Sequence, residues 1–431
     1  MPDSSPVTLP SPSPSSPSSP SSPSSPRACW AALLAYLNEW FLLPPGAEEA
    51  LKILFLASLA HSIPECEPIW CMLTGVPGSG KTSIGIRCLS AFPGAYVMSG
   101  ISENTLLSSF GASKKARKEA SLLHRLGPAP RILIKDFTTL LSKREHVRDE
   151  VFAQLRELHD GQLRSDRGNG ESAEWVGKAT VIAATTPAVE RKWDAMRELG
   201  ERFLIVRWPK GDPLAAGRFS RKQNNRALPG SGAAKIKAEQ LRLTSALIAT
   251  FQGGLLASPP QPSYADGEVL DALAEVVALS RAQVIRDSHG KRGVIEVCAH
   301  ESPTRISAAL QGIVSCAALL HESDEVGPAE LALARRIALD TIPARRARIL
   351  FHVPHNGAIP RDSLAAAAGV SKSTMMWQFV EMRHLGILEA RETSIASSIA
   401  LTDSFRRLRE QAGLLPSSEN PPIRFPVPAE N

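Results

Sequence analysis

Gly75-Val76-Pro77-Gly78-Ser79-Gly80-Lys81-Thr82 is the segment whose residue types and spacing most directly imply chemistry. It fills every fixed position of the pattern G-x-x-x-x-G-K-[ST], a loop whose backbone N–H groups turn inward around phosphate oxygens. The glycines allow the positive φ angles and the close backbone approach that such a cradle requires. In that arrangement Lys81 brings a positive charge to the β- and γ-phosphates of a nucleotide, and the Thr82 hydroxyl holds Mg²⁺. Ser83 opens the following helix, whose N-terminal partial charge adds to the attraction for phosphate.

Such a loop needs a strand to deliver it and a helix to receive it. Ile69–Leu73 reads as a buried strand and Ser83–Leu89 as the first turns of a helix. Apolar strands are expected at 69–74, 94–98, 131–135, 179–184 and 202–206, with helical patterns between them. That alternation predicts an α/β fold with a parallel sheet covered on both faces.

Bound metal also calls for a carboxylate at a neighbouring strand tip. Asp136 supplies one at the end of Arg131-Ile132-Leu133-Ile134-Lys135. The next residue is Phe137, not a Glu that could orient an attacking water, so the water-activating carboxylate is left unassigned. Thr185 and Thr186 end the 179–184 strand, where a hydroxyl either touches the γ-phosphate or caps the strand end. Arg202 precedes the last strand and Arg305 opens a later helix. Each either stabilises charge in phosphoryl transfer or sits in a surface ion pair.

Taken in this order, the parts resemble an AAA+ ATPase, a P-loop NTPase, over about residues 45–335. The resemblance implies ATP and Mg²⁺ as cofactors, with Asp136 as the metal-side carboxylate and Thr185 or Thr186 as the sensor on the fourth strand. It further implies Arg202 as an arginine finger reaching a neighbouring subunit and Arg305 as a lid arginine over the nucleotide. Homo-oligomeric rings that act on DNA, proteins or subunits are the family's habit. Leu155-Arg156-Glu157-Leu158-His159-Asp160-Gly161, a polar stretch, and then ATVIAATTP are similar to the branch with a hairpin ahead of the sensor strand. That branch includes enhancer-binding activators, MCM helicases and MoxR-like ATPases. Arg164 and Arg167 on the hairpin are then expected to meet a DNA backbone in the ring pore. No loop like the polymerase-contacting GAFTGA element is present, so an activator role is not implied. Lys135–Ser142 together with LRELHDG is also similar to ATPases of phage and mobile-element gene sets.

Helices are expected at about 28–41, 46–62, 236–252 and 267–282, and from near Pro303. In the last unit, helical patterns at Ala344–Phe351 and Asp362–Ala368 are followed by a Gly369-Val370 turn. A third helix runs from Ser371 to about Arg383, and strands follow at Leu385–Glu389 and Ile399–Leu401. This is the order of a winged helix-turn-helix, used either for DNA or for protein docking. Its candidate DNA contacts are Ser371, Lys372, Ser373, Thr374, Gln378, Arg383 and Arg391. The divisions expected are a disordered Ser/Pro-rich tail (1–26), an ATPase core (27–208), a linker (209–235), a helical lid (236–340), a winged unit (341–403) and a tail (404–431).

The 431 residues carry a net charge of +6, which permits a polyanionic partner. Cysteines at 29, 66, 71, 88, 298 and 316 have no zinc or redox spacing, so free thiols in a reducing, cytoplasmic setting are expected. No apolar run reaches the roughly 18 residues that span a bilayer, and the N-terminus lacks a secretory pattern. The function expected is ATP hydrolysis coupled to action on DNA, as a helicase-like or remodelling motor in replication or recombination. The alternative is a slow-turnover ATP switch that assembles a nucleoprotein complex.

Overall fold

The computed structural model describes residues 25–415 apart from 104, 108–120, 167–171, 193–195, 227–231, 252–253, 288–292 and 393–396. The Ser/Pro-rich tail up to residue 24, the end from 416 onward, and Arg167 lie outside the described residues.

Five strands form the central sheet: β1 (Trp70–Thr74), β2 (Ala95–Met98), β3 (Arg131–Ile134), β6 (Thr180–Thr185) and β7 (Phe203–Arg207). All neighbours are parallel, in the order β2-β3-β6-β1-β7. The fold is therefore α/β, and each expected strand lies within two residues of its predicted bounds. Successive side chains leave a strand on opposite faces, so the sheet feeds two cores. Cys71, Leu73, Leu133, Ile182 and Val206 pack on one side, and Met72, Ile132, Ile134, Val181 and Ile205 on the other.

The first face is covered by α1 (Pro26–Phe41) and α2 (Ala47–Ala60), whose apolar residues join the same core. The second is covered by α6 (Glu145–His159), which follows the short helices α4 (Leu122–Leu126) and α5 (Thr138–Leu141). Strands β4 (Gln162–Asp166) and β5 (Ser172–Val176) pair as an antiparallel hairpin ahead of β6. Leu163 and Trp175 anchor it in the second core, while Arg164 stands opposite Glu174.

Residues 209–235, expected as a linker, contain a helix, α7 (Pro213–Arg226). Pro213 at its first position suits a helix start, and that start outweighs the Gly/Asn content on which the loop reading rested. Helices α8 (Gly232–Ala249), α9 (Tyr264–Arg281), α10 (Thr304–His321) and α11 (Pro328–Thr341) follow. An unforeseen hairpin, β8 (Val284–Arg286) with β9 (Val294–Val297), interrupts them. Helix α11 covers the open edge of β7: Ile205 N donates to Thr341 Oγ1 at 3.0 Å and Arg207 N to Asp340 Oδ2 at 2.9 Å. Side chains thereby satisfy edge N–H groups that would otherwise be buried unpaired.

The last unit comprises α12 (Ala344–His352), α13 (Arg361–Ala367), α14 (Lys372–His384) and a three-stranded sheet. That sheet joins β10 (Ile359–Pro360), β12 (Ser397–Leu401) and β11 (Leu388–Glu392) in that order. The tail expected from 404 instead begins with α15 (Asp403–Gln411), capped by Thr402 and anchored by buried Phe405 and Arg409. Arg409 donates to Val353 O at 3.1 Å, which ties this helix to the end of α12.

All six cysteines are free, with four of them buried. Among the described residues no helix is long and apolar enough to cross a membrane, and no group of His, Cys, Asp or Glu is arranged to hold a metal.

Candidate phosphate-binding site

β1, an interior strand next to the edge strand β7, delivers Gly75 at its carboxyl end, and the chain then turns through Gly78 (φ +74°) and Gly80 (φ +98°). Both angles lie in the left-handed region that glycine tolerates. The receiving helix opens with π-helical turns over Lys81–Ile86 and continues as α3 (Arg87–Leu89). Lys81 is buried, and its Nζ donates to Gly75 O at 2.5 Å and Val76 O at 2.8 Å. Burial pulls the Lys81 pKa below its ordinary value, and the nearby Asp136 carboxylate partly opposes the shift. Thr82 is exposed, with no hydrogen-bond partner for its hydroxyl among the described residues. Ser79 Oγ is buried without a partner.

Asp136 sits just beyond β3, where its Oδ1 accepts from Thr138 N at 2.9 Å. Thr185 ends β6, the strand between β1 and β3, so the tip of β6 lies between the loop and the carboxylate. Gly75 N donates to Thr185 O at 3.3 Å, and Phe137 N to Ala184 O at 2.8 Å. The Thr185 hydroxyl is buried and bonded to Thr138 Oγ1 at 3.1 Å, while Thr186 N also donates to Thr138 Oγ1 at 3.1 Å. Phe137, directly after Asp136 where a water-orienting carboxylate would stand, is fully buried in the core.

Two residues that the sequence did not single out hold the loop. Trp208 follows β7, and its N donates to Thr74 O at 2.7 Å while its Nε1 donates to Ser79 O at 2.7 Å. A Cβ at Gly75 would lie 3.0 Å from both Trp208 Cβ and Trp208 O, so a larger residue there would have to displace Trp208 by a few tenths of an ångström. Gln240 on α8 is buried and donates to Ser83 O and Ile84 O, both at 3.3 Å. The only sequence signal for either is an apolar strand that ends in Trp and a polar residue within an apolar helical stripe.

Arg202 and Arg305 come together, but at the other end of the sheet. Arg202 precedes Phe203, which pairs with Trp70 at the start of β1, whereas Gly75 follows the end of β1. Four residues at about 3.3 Å each separate the two ends by roughly 13 Å. Arg202 Nη2 donates to Asp160 Oδ2 at 3.0 Å, and Arg305 Nη2 lies 3.8 Å from Asp160 Oδ1. The cleft beside them, about 280 Å³, is lined by Glu67, His159, Asp160, Lys178 and Arg305. Arg305 therefore does not close over the phosphate loop of its own chain, as the sequence reading expected. The turn of α10 that carries it packs beside Arg202 and Ile69–Trp70.

His159 at this end packs against Trp70, with ring centroids 5.0 Å apart. Burial, reinforced by Arg202 and Arg305 and opposed by Asp160, pulls its pKa down to about 4. His61 is pulled down to about 3, first by burial and then by Arg131. Both folded-state values lie below the ordinary 6.5, so between pH 6.5 and about 4 the unfolded chain takes up protons that the folded chain refuses. Stability is then present above pH 6.5 and falls with acidification, by about 1.4 kcal/mol per pH unit for each histidine. Urea midpoints measured from pH 7.5 to 4.5 are expected to drop in that window, and His61→Gln to flatten the drop. A midpoint independent of pH would contradict both assignments.

In the last unit Ser371 caps α14, its Oγ accepting from Thr374 N at 3.1 Å. Lys372 is exposed and pairs with Asp362 at 2.6 Å, while Arg391 pairs with Glu389 at 2.8 Å. Ser373 and Arg383 are exposed. Gln378 is turned inward and donates to Glu381 Oε2 at 3.1 Å. The Glu381 face of α14 meets β8 and α12: Arg286 stacks on Trp377 at 4.5 Å and donates to Glu381 Oε1 at 3.1 Å, and Arg346 donates to Oε2 at 3.1 Å. Gln378 is thus half-buried beside that packing, whereas Lys372, Ser373 and Arg383 face outward.

No protein-family profile matches the chain, and no curated protein matches it. The class defined by the structure is an α/β protein with a five-stranded, all-parallel sheet and a glycine-rich loop at the carboxyl end of its fourth-ordered strand, β1.

Proposed function

We propose that the chain is an ATPase of the AAA+ type that works as a ring of identical subunits and acts on DNA. One observation carries the nucleotide reading. The loop Gly75–Thr82, the carboxylate of Asp136 and the hydroxyl-bearing tip of β6 converge at the carboxyl end of three adjacent strands. The donor set suits ATP and Mg²⁺: two left-handed glycines shape the cradle, Ser79 Oγ and the Thr82 hydroxyl are unpartnered, and Asp136 keeps an oxygen beyond its bond to Thr138. Gly75–Ser83 hold the phosphates, and Thr82 with Asp136 holds the metal. Mg²⁺ held there would supply neutralisation of the charge that develops on a transferring phosphoryl group. Lys81 leaves the Gly75 and Val76 carbonyls to meet the phosphate, and Thr138 keeps the β6 tip beside it through Thr185 and Thr186.

Arg202 and Arg305 share Asp160 at the far end of the sheet, where neither reaches its own loop. Head-to-tail packing in a ring sets that end against the next subunit's loop, so both act on the neighbour's nucleotide. The helical lid is α8–α11, and α12–α14 with the three-stranded sheet form a winged helix that docks on duplex DNA through α14. The β4–β5 hairpin carries Arg164 toward the pore. A slow switch is the second reading, favoured by the buried Phe137 beside Asp136.

Lys372→Ala tests the DNA assignment. It removes one exposed cation and is expected to weaken duplex binding uniformly across sequences. The slope of log affinity against log salt should fall by about one. An unchanged slope would turn the winged unit into a protein-docking module.

A further inference from the structure

Between β7 and α8 the chain concentrates its positive charge. From Pro213 to Lys237 it carries Arg218, Arg221, Lys222, Arg226, Lys235 and Lys237 with no Asp or Glu, a local excess equal to the +6 of the whole chain. Arg218, Arg221, Lys235 and Lys237 are exposed, and none has a carboxylate partner among the described residues. Arg218 and Arg221 stand about one turn apart on α7, and Lys235 and Lys237 lie in the first turns of α8. Like charges left unpaired repel one another, so two exposed cations on each of two successive helices, with no carboxylate beside them among the described residues, are best satisfied by an external polyanion.

The segment is fastened at both ends to the phosphate loop and its helix. At its entry Trp208 Nε1 donates to Ser79 O at 2.7 Å. At its exit the buried Gln240 donates to Ser83 O and Ile84 O, both at 3.3 Å. A phosphate that draws Lys81 away from the Gly75 and Val76 carbonyls changes the loop against which both residues bond.

We propose that the exposed cations Arg218 and Arg221 of α7 and Lys235 and Lys237 of α8 form a second nucleic-acid contact, which grips the phosphodiester backbone without reading sequence and whose strength follows nucleotide occupancy of the phosphate loop. The coupling rests on the ATP reading above, whereas the charge surface does not. A membrane surface fits less well, because a peripheral membrane helix needs an apolar face. Here Leu214 is the sole large apolar side chain exposed among the described residues of the segment. Backbone phosphates match instead, since each one neutralised releases counterions and adds about 0.9 to the salt slope.

The test is fluorescence anisotropy of a labelled duplex DNA titrated with the full chain over a salt series, with and without ATP–Mg²⁺. Two double variants, R218E/R221E and K235E/K237E, change only exposed residues, and binding of a fluorescent ATP analogue by each confirms an intact loop. Each variant is expected to lower duplex affinity at least about tenfold and to reduce the salt slope by about two. Wild-type affinity is expected to differ severalfold between the two nucleotide conditions, and Gln240→Ala to bind DNA but lose that difference. Wild-type affinity and slope in both double variants overturn the surface. Binding of the wild type to phosphatidylserine vesicles but not to DNA overturns it in favour of a membrane. A wild-type chain that binds no ATP overturns the nucleotide reading and the coupling with it, while the salt slope still decides the charge surface on its own.

Discussion

Lys81→Ala is expected to abolish ATP binding at concentrations that saturate the wild type, a loss of at least about 100-fold. A charge-assisted hydrogen bond contributes about 1.5–3 kcal/mol, and a lysine that spans two phosphates makes more than one. The structure adds a reason for a large effect. Lys81 is the buried cation of the loop, and its Nζ already organises the loop by bonding to Gly75 O and Val76 O. Alanine leaves both carbonyls without that donor and the cradle without its charge. Lys81→Arg is not expected to rescue, because a planar fork cannot replace a compact ammonium whose Cδ lies 3.3 Å from where a Gly75 Cβ would stand. Equilibrium binding of a fluorescent ATP analogue checks both variants, and unchanged affinity in Lys81→Ala would remove the phosphate-loop assignment.

Arg202→Ala is expected to leave ATP affinity within about twofold of wild type and to lower turnover by about a thousandfold, the lower range for an arginine finger. The fold should tolerate it. Arg202 bonds to Asp160 and to Leu199 O, and Asp160 keeps Arg305 and His159 beside it. Action on a neighbour has a signature that action within one chain lacks. Mixing Arg202→Ala with Lys81→Ala subunits assembles some interfaces with one intact loop and one intact arginine, so part of the turnover should return. No recovery on mixing would contradict the subunit-crossing role. Wild-type turnover in Arg202→Ala alone would transfer the role to Arg305.

The sequence made the loop legible because its constraint is local: glycines where φ is positive, a lysine and a threonine at fixed spacing. The sheet was legible for a similar reason. Strands buried on both faces are continuous apolar runs, such as Ala179–Ala184, whose register needs no distant partner to be recognised. Misreadings arose where tertiary contacts decide. Gly, Asn and Pro between 209 and 235 read as loop, yet Pro213 starts a helix there. Phe405 and Arg409 turn what read as a tail into α15 because α12 offers Val353 O as an acceptor. Arg305 was placed over the loop by the order of motifs along the chain, but order does not say which end of a parallel sheet a helix start approaches. The roles of Trp208 and Gln240 were invisible, since both act by bonding to backbone oxygens some distance away in sequence.

The most direct test of the central claim is ATP turnover by the purified chain, measured without DNA, with duplex DNA and with single-stranded DNA. The account predicts Mg²⁺-dependent turnover that DNA stimulates and that Lys81→Ala eliminates. ATP bound tightly but not hydrolysed under any of these conditions would contradict the motor. It would make Phe137, buried where a water-orienting carboxylate would stand, the mark of a nucleotide-dependent switch.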